Sequence, residues 1–527
     1  MQILANFLNF YPKFTQDFTK IAQNLNFAKI CFVILTKILL INTKKLKIYP
    51  KISPHLPKKA TICKKFKVWL LRTLMKKRRK KINNIIILAL IVVAVGLGIQ
   101  LQVFERNAPV IYIQDTIYTN LQEPLPVRIT DEISGIKKVK ITLKKDAKDA
   151  GVILYDEKID KQKELVLEVK LPQIIKSTDT YTLEISAKDS SLWNFLQGNE
   201  ALKNIPIVVD TQKPAVNILA NSYQIEQGGA AAVVFEARDE HLQDLHIEDN
   251  KGRRFAVSPY LKDNHYAALV AWNAKEQDFR AFVIAKDKAG NVTKERIRYY
   301  LINRKYRNSN IALKDGFLDG KIEDLAQQYA QNKNLARLEK FKFVNETLRL
   351  GNEERIHKVS AQAKKDYNGL QFARFVPLKN AMKVGDFADH RFYSYNGEFV
   401  SESYHLGIDL ASVARDNIYA SLDGKVIFAE ENGIYGINII IDHGFGLYSL
   451  YGHCSSKLVA EGDEIKAGEI IAKTGTSGLA LGDHLHFGIL VQGVEVRPEQ
   501  FQDAKWLQSY IISVLEEGRK IILKERK

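Results

Sequence analysis

Gly482-Asp483-His484-Leu485-His486-Phe487 is the stretch on which the fold of the C-terminal part turns. A His-x-His interleaved with Leu485 and Phe487 predicts a strand, where residues two apart point to the same face. His484 and His486 then stand side by side on one surface. Two imidazoles so placed can meet side chains from other segments, and the chain offers them upstream. Tyr404-His405-Leu406-Gly407-Ile408-Asp409 holds a His-x-x-x-Asp, and Tyr451-Gly452-His453 brings a further histidine.

Zinc suits this set, because it accepts imidazole nitrogen and carboxylate oxygen, and a catalytic site takes three protein ligands and leaves one position to water. His405, Asp409, His453, His484 and His486 are more groups than three. The surplus histidines are then free to accept a proton or to steady an oxyanion.

The surrounding motifs extend the pattern in order. They are Tyr404 to Ala411, Asp423-Gly424-Lys425-Val426, Ile441-Asp442-His443-Gly444, Leu450-Tyr451-Gly452-His453, Gly462 to Glu469, and Gly475-Thr476-Ser477-Gly478 leading into Gly482 to Phe487. Any one is weak alone, but six in order are specific. Residues 380–500 resemble the M23 peptidases, the lysostaphin and LytM-type zinc endopeptidases that cut peptide bonds of bacterial peptidoglycan. The resemblance implies an antiparallel β-rich catalytic domain with one Zn2+ held by His405, Asp409 and His486. It makes His453 and His484 the catalytic pair, and peptidoglycan stem peptides and cross-links the substrate. Some relatives of this family have lost ligands and act as non-enzymatic activators or scaffolds for other cell-wall hydrolases. The five intact side chains argue for the enzyme, since a regulator has no chemical need of all of them.

The chain also departs from the family pattern. Ala388-Asp389-His390-Arg391 stands where the family often has Phe-Gly-x-Arg, Phe392 to Ser403 are inserted before the ligand motif, and Asp483 replaces a proline. Arg391 reads as a surface arginine, with a substrate carboxylate as its alternative partner. His443 reads as part of a structural turn. His241, His246, His265 and His357 have no motif around them.

Working outward, the net charge of +18 over 527 residues invites a nucleic-acid reading. Residues 1–81 carry 20 of the 78 Lys and Arg against a single acid, Asp17, so the rest of the chain is close to neutral. A phosphate-binding protein needs its basic residues on a folded face, so a nucleic-acid partner is not expected. The run Met75-Lys76-Lys77-Arg78-Arg79-Lys80-Lys81 precedes 85–103, an uncharged apolar stretch long enough to cross a bilayer as a helix. Basic flanks stay on the cytoplasmic side. The expectation is a single-pass anchor in the bacterial inner membrane, with everything from Phe104 onward in the periplasm or outside the cell; a cleaved signal peptide, with 85–99 as its apolar region, is the alternative. Residues 1–84 read as a basic, poorly structured cytoplasmic segment, with Met75 as an alternative start. Two of the three cysteines, Cys31 and Cys63, lie in it, so Cys454 has no intramolecular partner beyond the membrane.

Between anchor and catalytic domain the chain is strand-rich and repeats itself. Thr130-Asp131-Glu132 is echoed by Arg238-Asp239-Glu240, and Tyr181 to Asp189 by Phe279 to Asp287. The offset is that of one immunoglobulin-like domain. Two β-sandwich repeats, 107–210 and 211–304, are expected as spacers, with binding of cell-wall protein partners as the alternative. At 319–368 the period becomes helical, which reads as a connector packed on the next domain or, more sharply, as a lid over its site. Residues 501–527 read as a terminal helix carrying Trp506, Tyr510 and Val514 on one stripe. The fold class expected is therefore mainly β and multidomain.

Overall fold

The computed structural model describes residues 83–94, 96 and 105–524, apart from 146–148, 174, 176–179 and 363–368. It is mainly β, with few helices. Most of the expected cytoplasmic segment, part of the expected anchor and the last residues of the connector lie outside that range. Within it, 83–94 is helical, and no helix among the described residues is long and apolar enough to cross a membrane.

The chain divides into two units, one ending at Asp210 and the other beginning at Thr211. The first unit pairs a three-stranded sheet (Val110–Tyr112, Leu125–Thr130, Glu164–Val169) with a five-stranded one in the order Ile117–Thr119, Glu200–Val209, Tyr181–Asp189, Ile136–Lys144, Val152–Gln162. Along Leu125–Thr130 burial alternates, with Leu125, Val127 and Ile129 inside, as a sheet with one wet face requires. These side chains join Ile141, Leu183 and Ile205 in a core made only of this unit's residues.

The second unit opens with another sandwich, Ser258–Tyr260, Lys262–Ala271, Ala230–Arg238 and Ala215–Asn221 against Arg254–Ala256, Leu242–Asp249, Ala281–Asp287 and Val292–Ile297. Here the strand Ala230–Arg238 does not alternate, being buried from Ala230 to Ala237. Its second face is covered by the C-terminal helix Ser513–Lys524, which approaches so closely that a Cβ on Gly518 would lie 2.7 Å from Val234 Cβ. Polar contacts tie the same seam. The Tyr260 hydroxyl donates to the Leu515 carbonyl at 2.9 Å, Arg497 pairs with Glu226 at 2.6 Å, and Gln492 bonds the backbone of Ala256. Expected as a spacer, this repeat shares one hydrophobic core with the C-terminal domain.

The C-terminal domain is built on an eight-stranded sheet whose main path runs Met382–Gly385, Ile408–Ala411, Leu485–Val491, Leu447–Cys454, Ile437–Asp442, Gly424–Glu431, Glu464–Ile465. Leu485–Val491 is buried throughout, because side chains cover both faces. The inserted Phe392 to Ser403 is part of a hairpin, Asp389–Tyr395 with Glu398–His405. Its tip, Asn396-Gly397, takes positive φ at both residues, the geometry that matches strand twist in two-residue turns. Asn308–Ala312 adds a parallel third strand to this hairpin.

Helical segments at 315–329 and 337–362 follow that strand. Leu318, Ile322, Phe341, Val344 and Ile356 enter one core with Tyr393, Phe428, Ile434 and Tyr448 of the C-terminal domain. Asn352 Oδ1 accepts from the Ile434 amide at 2.9 Å, and His357 Nε2 meets Glu495 at 2.7 Å. The connector thus packs on the domain it adjoins through an apolar core and polar contacts.

Candidate metal centre and its cleft

Three neighbouring strands set the site. In the antiparallel register Asp409 stands opposite His486, and His486 stands opposite Gly452, next to His453. His405 ends the hairpin strand Glu398–His405 and reaches Asp409 across Leu406-Gly407-Ile408. His484 precedes Leu485–Val491 and points to the same side as His486, while Leu485 is buried. Two glycines allow the close approach. A Cβ on Gly407 would lie 2.6 Å from His486 Nε2, and one on Gly385 would lie 2.3 Å from Asp409 Oδ2.

The donor atoms converge. His405 Nε2 is 3.0 Å from both Asp409 Oδ1 and His486 Nδ1, and His486 Nδ1 is 3.1 Å from Asp409 Oδ1. His405 Nδ1 donates to the Asp386 carbonyl at 2.8 Å, which leaves the Nε2 lone pair for the cluster. Lone pairs aimed at one another repel unless a cation or proton lies between them. Two imidazoles and a carboxylate are a donor set that zinc accepts, so the residues fit that ion, and among the described residues they form a group able to hold a metal.

The other two histidines flank this group. The His453 and His484 rings lie 4.8 Å apart, and His453 is 5.8 Å from the His486 ring. His453 Nδ1 donates to the Ser477 carbonyl at 2.8 Å, which leaves its Nε2 for chemistry; His484 Nδ1 donates to the Gly482 carbonyl at 2.7 Å, and its Nε2 lies 3.6 Å from Asp409 Oδ1 at the edge of the cluster. His453 also sits at φ 62°, a left-handed conformation rare for a side-chain-bearing residue and often held at functional sites.

Electrostatics divides the pair. Burial, aided by His486 and His484, pushes His453 down to about 3, so it is neutral near pH 7. Burial likewise lowers His486 to about 4. Burial also opposes a charged His484, but the hydrogen bond and charge of Asp409 outweigh it and raise its pKa. In Asp409 burial works against the charge, and the surrounding histidines nevertheless hold the carboxyl well below the usual range. His443 lies elsewhere, its nitrogens meeting the Asp423 carbonyl and Ser449 Oγ, where burial lowers it to about 4.

All five side chains lie in or beside one match: residues 403–498 fit the profile of peptidase family M23. This part of the chain is a peptidase family M23 domain. The M23 domain is 37% identical over 94 residues to a DD-carboxypeptidase/endopeptidase, Mpg, of Neisseria meningitidis serogroup B, covering 18% of this chain and 22% of that protein. It is 39% identical over 103 residues to a murein hydrolase activator, NlpD, of Escherichia coli, covering 19% of this chain and 27% of that one. The chain thus spans about a quarter of the length of these curated relatives. A crystal structure of a Pseudomonas aeruginosa protein described as a peptidase M23 is 20% identical, with a TM-score of 0.29 over 53% of this chain and 96% of that chain.

The five side chains open into a cleft of about 720 Å³. One wall holds Arg391 of the hairpin with Tyr435 and Leu481; the other is supplied by Lys314 and Phe317, which precede the connector, and by Arg349 of the connector itself. The motif reading passed over this second wall. Its residues come from 311–317 and from the helix that holds Arg349, which carry none of the six motifs, and an arginine on an amphipathic helix looks like a solvated one.

Proposed function

We propose that this chain is a zinc-dependent endopeptidase that cuts peptide cross-links in bacterial peptidoglycan. The observation that carries the reading is the joint placement of three converging ligand atoms with two further histidines whose Nδ1 atoms are fixed and whose Nε2 atoms face the same cleft. His405, Asp409 and His486 would hold the ion. Zinc, when bound, supplies a Lewis acid that polarises a carbonyl and acidifies water.

The chain's own groups do the rest. Neutral His453 accepts a proton at Nε2, while its Nδ1 stays anchored to Ser477. His484, its Nδ1 held by the Gly482 carbonyl, would in its protonated form present Nε2–H to the oxyanion that develops on the cut carbonyl. The apolar stretch 85–103 supports a location at the cytoplasmic membrane with the M23 domain on its outer side. A basic run precedes it, and Ile85, Leu88 and Ile91 are about half exposed, uncovered by protein.

The similarity to a murein hydrolase activator favours a second reading, a non-enzymatic regulator of other wall hydrolases. Detergent-solubilised full chain incubated with cross-linked peptidoglycan separates the two. Release of newly cut peptides that stops with chelator and returns with zinc is expected. A zinc-loaded, folded chain that releases nothing yet stimulates another wall hydrolase is a regulator.

A further inference from the structure

Among the described residues, four of the arginines that are partly withdrawn from water have carboxylate partners in direct contact. Arg253 pairs with Asp249 and Glu276, Arg337 with Asp315, Arg391 with Asp389 at 3.2 Å, and Arg497 with Glu226. Arg349 is half-buried in the cleft wall and is different. Its Nε donates to the Asn345 carbonyl and its Nη2 to Asn345 Oδ1, both at 3.1 Å, and no carboxylate among the described residues forms an ion pair with it. The buried Glu353, one turn along the same helix, interacts with its charge from a distance, but no carboxylate among the described residues reaches hydrogen-bond contact with the guanidinium.

Its orientation is prepared in advance. Asn345 is 2% exposed, and its Nδ2 donates to Ser401 Oγ at 2.9 Å and to the Glu402 carbonyl at 3.1 Å. That fixes which end of the amide faces Arg349, so the guanidinium is held by two neutral acceptors and keeps its full charge. Ser401 Oγ in turn donates to Glu346 Oε1 at 2.7 Å. Lys314 and Arg391 line the cleft with Arg349, Arg391 already paired with Asp389, and Asp409 is the single acidic residue of the lining. A planar guanidinium with donors to spare is matched to a carboxylate.

We infer that the connector supplies the substrate site with a carboxylate-binding residue, Arg349, and that the preferred substrate is a peptide carrying a carboxylate near the bond that is cut. This rests on the reading of the cleft as a peptide-hydrolysing site. It makes the connector part of the specificity apparatus, and Asn345 the residue that positions Arg349.

Binding to the full chain tests it without turnover, in a His453→Ala background. Two pairs of fluorescently labelled alanine-rich peptides serve as probes, one pair differing as free C-terminal acid against amide, the other as internal Glu against Gln. In one pair the acid is expected to bind about tenfold more tightly or better. Arg349→Gln is expected to bring that ratio to within about twofold of one, and Arg349→Lys to keep part of it. Equal binding of acid and amide in both pairs overturns the inference, whether or not any variant folds. So does an acid preference that survives in folded Arg349→Gln. Failure of the peptidase reading shows separately, as a wild-type chain that keeps the acid preference and cuts nothing.

Discussion

The two sandwich repeats carry the same sequence echoes, and the structure uses them differently. In the first, strands alternate and the core is closed within residues 111–209. In the second, Ala230-Ala231-Ala232 begins a strand buried on both faces, and the C-terminal helix lies on it. A repeated strand pattern therefore specifies a sandwich but not its independence. The small side chains of Ala230 to Ala232 and Gly518, which let backbone approach backbone, mark the face that is covered.

The comparison can be broken most strongly from the first repeat. Ile141→Ala removes a fully buried side chain from its closed core and should cost about 2–5 kcal/mol. The expected outcome in calorimetry is a lowered transition for the first unit, with the second unit's transition and zinc binding unmoved. A shift in both transitions means that the cores are not separate. Next in size is Gly518→Leu, whose added atoms have to displace Val234. Overpacking of this kind costs about 1–3 kcal/mol. It should lower the transition of the sandwich and the M23 domain together, and a sandwich that melts alone would contradict the shared core.

The smallest effect concerns the connector. The hydrogen bond to Glu495 is the leading cause that raises His357's pKa, with burial opposing it. A histidine raised on folding stabilises the protein below its unfolded pKa, about 6.5, and the contribution is lost as pH rises through the folded value. Because the His357 side chain is 43% exposed, the effect is about 0.5 kcal/mol or less. His357→Ala should therefore destabilise the second unit slightly near pH 5.5 and not near pH 9. A loss that grows with pH would contradict the pairing.

The six motifs made the M23 domain and its cluster legible, because ligand chemistry forces particular side chains into short patterns. The strand period alone put His484 and His486 on one face, and the structure brings both beside Asp409. The hairpin at 389–405 was also readable, since Asn396-Gly397 is a turn signal between strand-like runs, but without a motif it passed as an insertion. Two features were hidden for a physical reason. Whether an amphipathic helix packs as a lid or as a wall depends on what its apolar face meets, and Leu318, Phe341 and Ile356 would look the same in either case. An arginine such as Arg349 acquires meaning only once its place in the cleft wall, held by Asn345 and not by a carboxylate, is seen in three dimensions.

The central claim is that the cleft is a working peptidase site, and His453→Ala tests it most directly, through the rate of peptide release from cross-linked peptidoglycan with zinc content measured on the same sample. Loss of a general base should slow release by about a hundredfold or more while the zinc held by His405, Asp409 and His486 is retained. Release at the wild-type rate by the zinc-loaded variant would contradict the account.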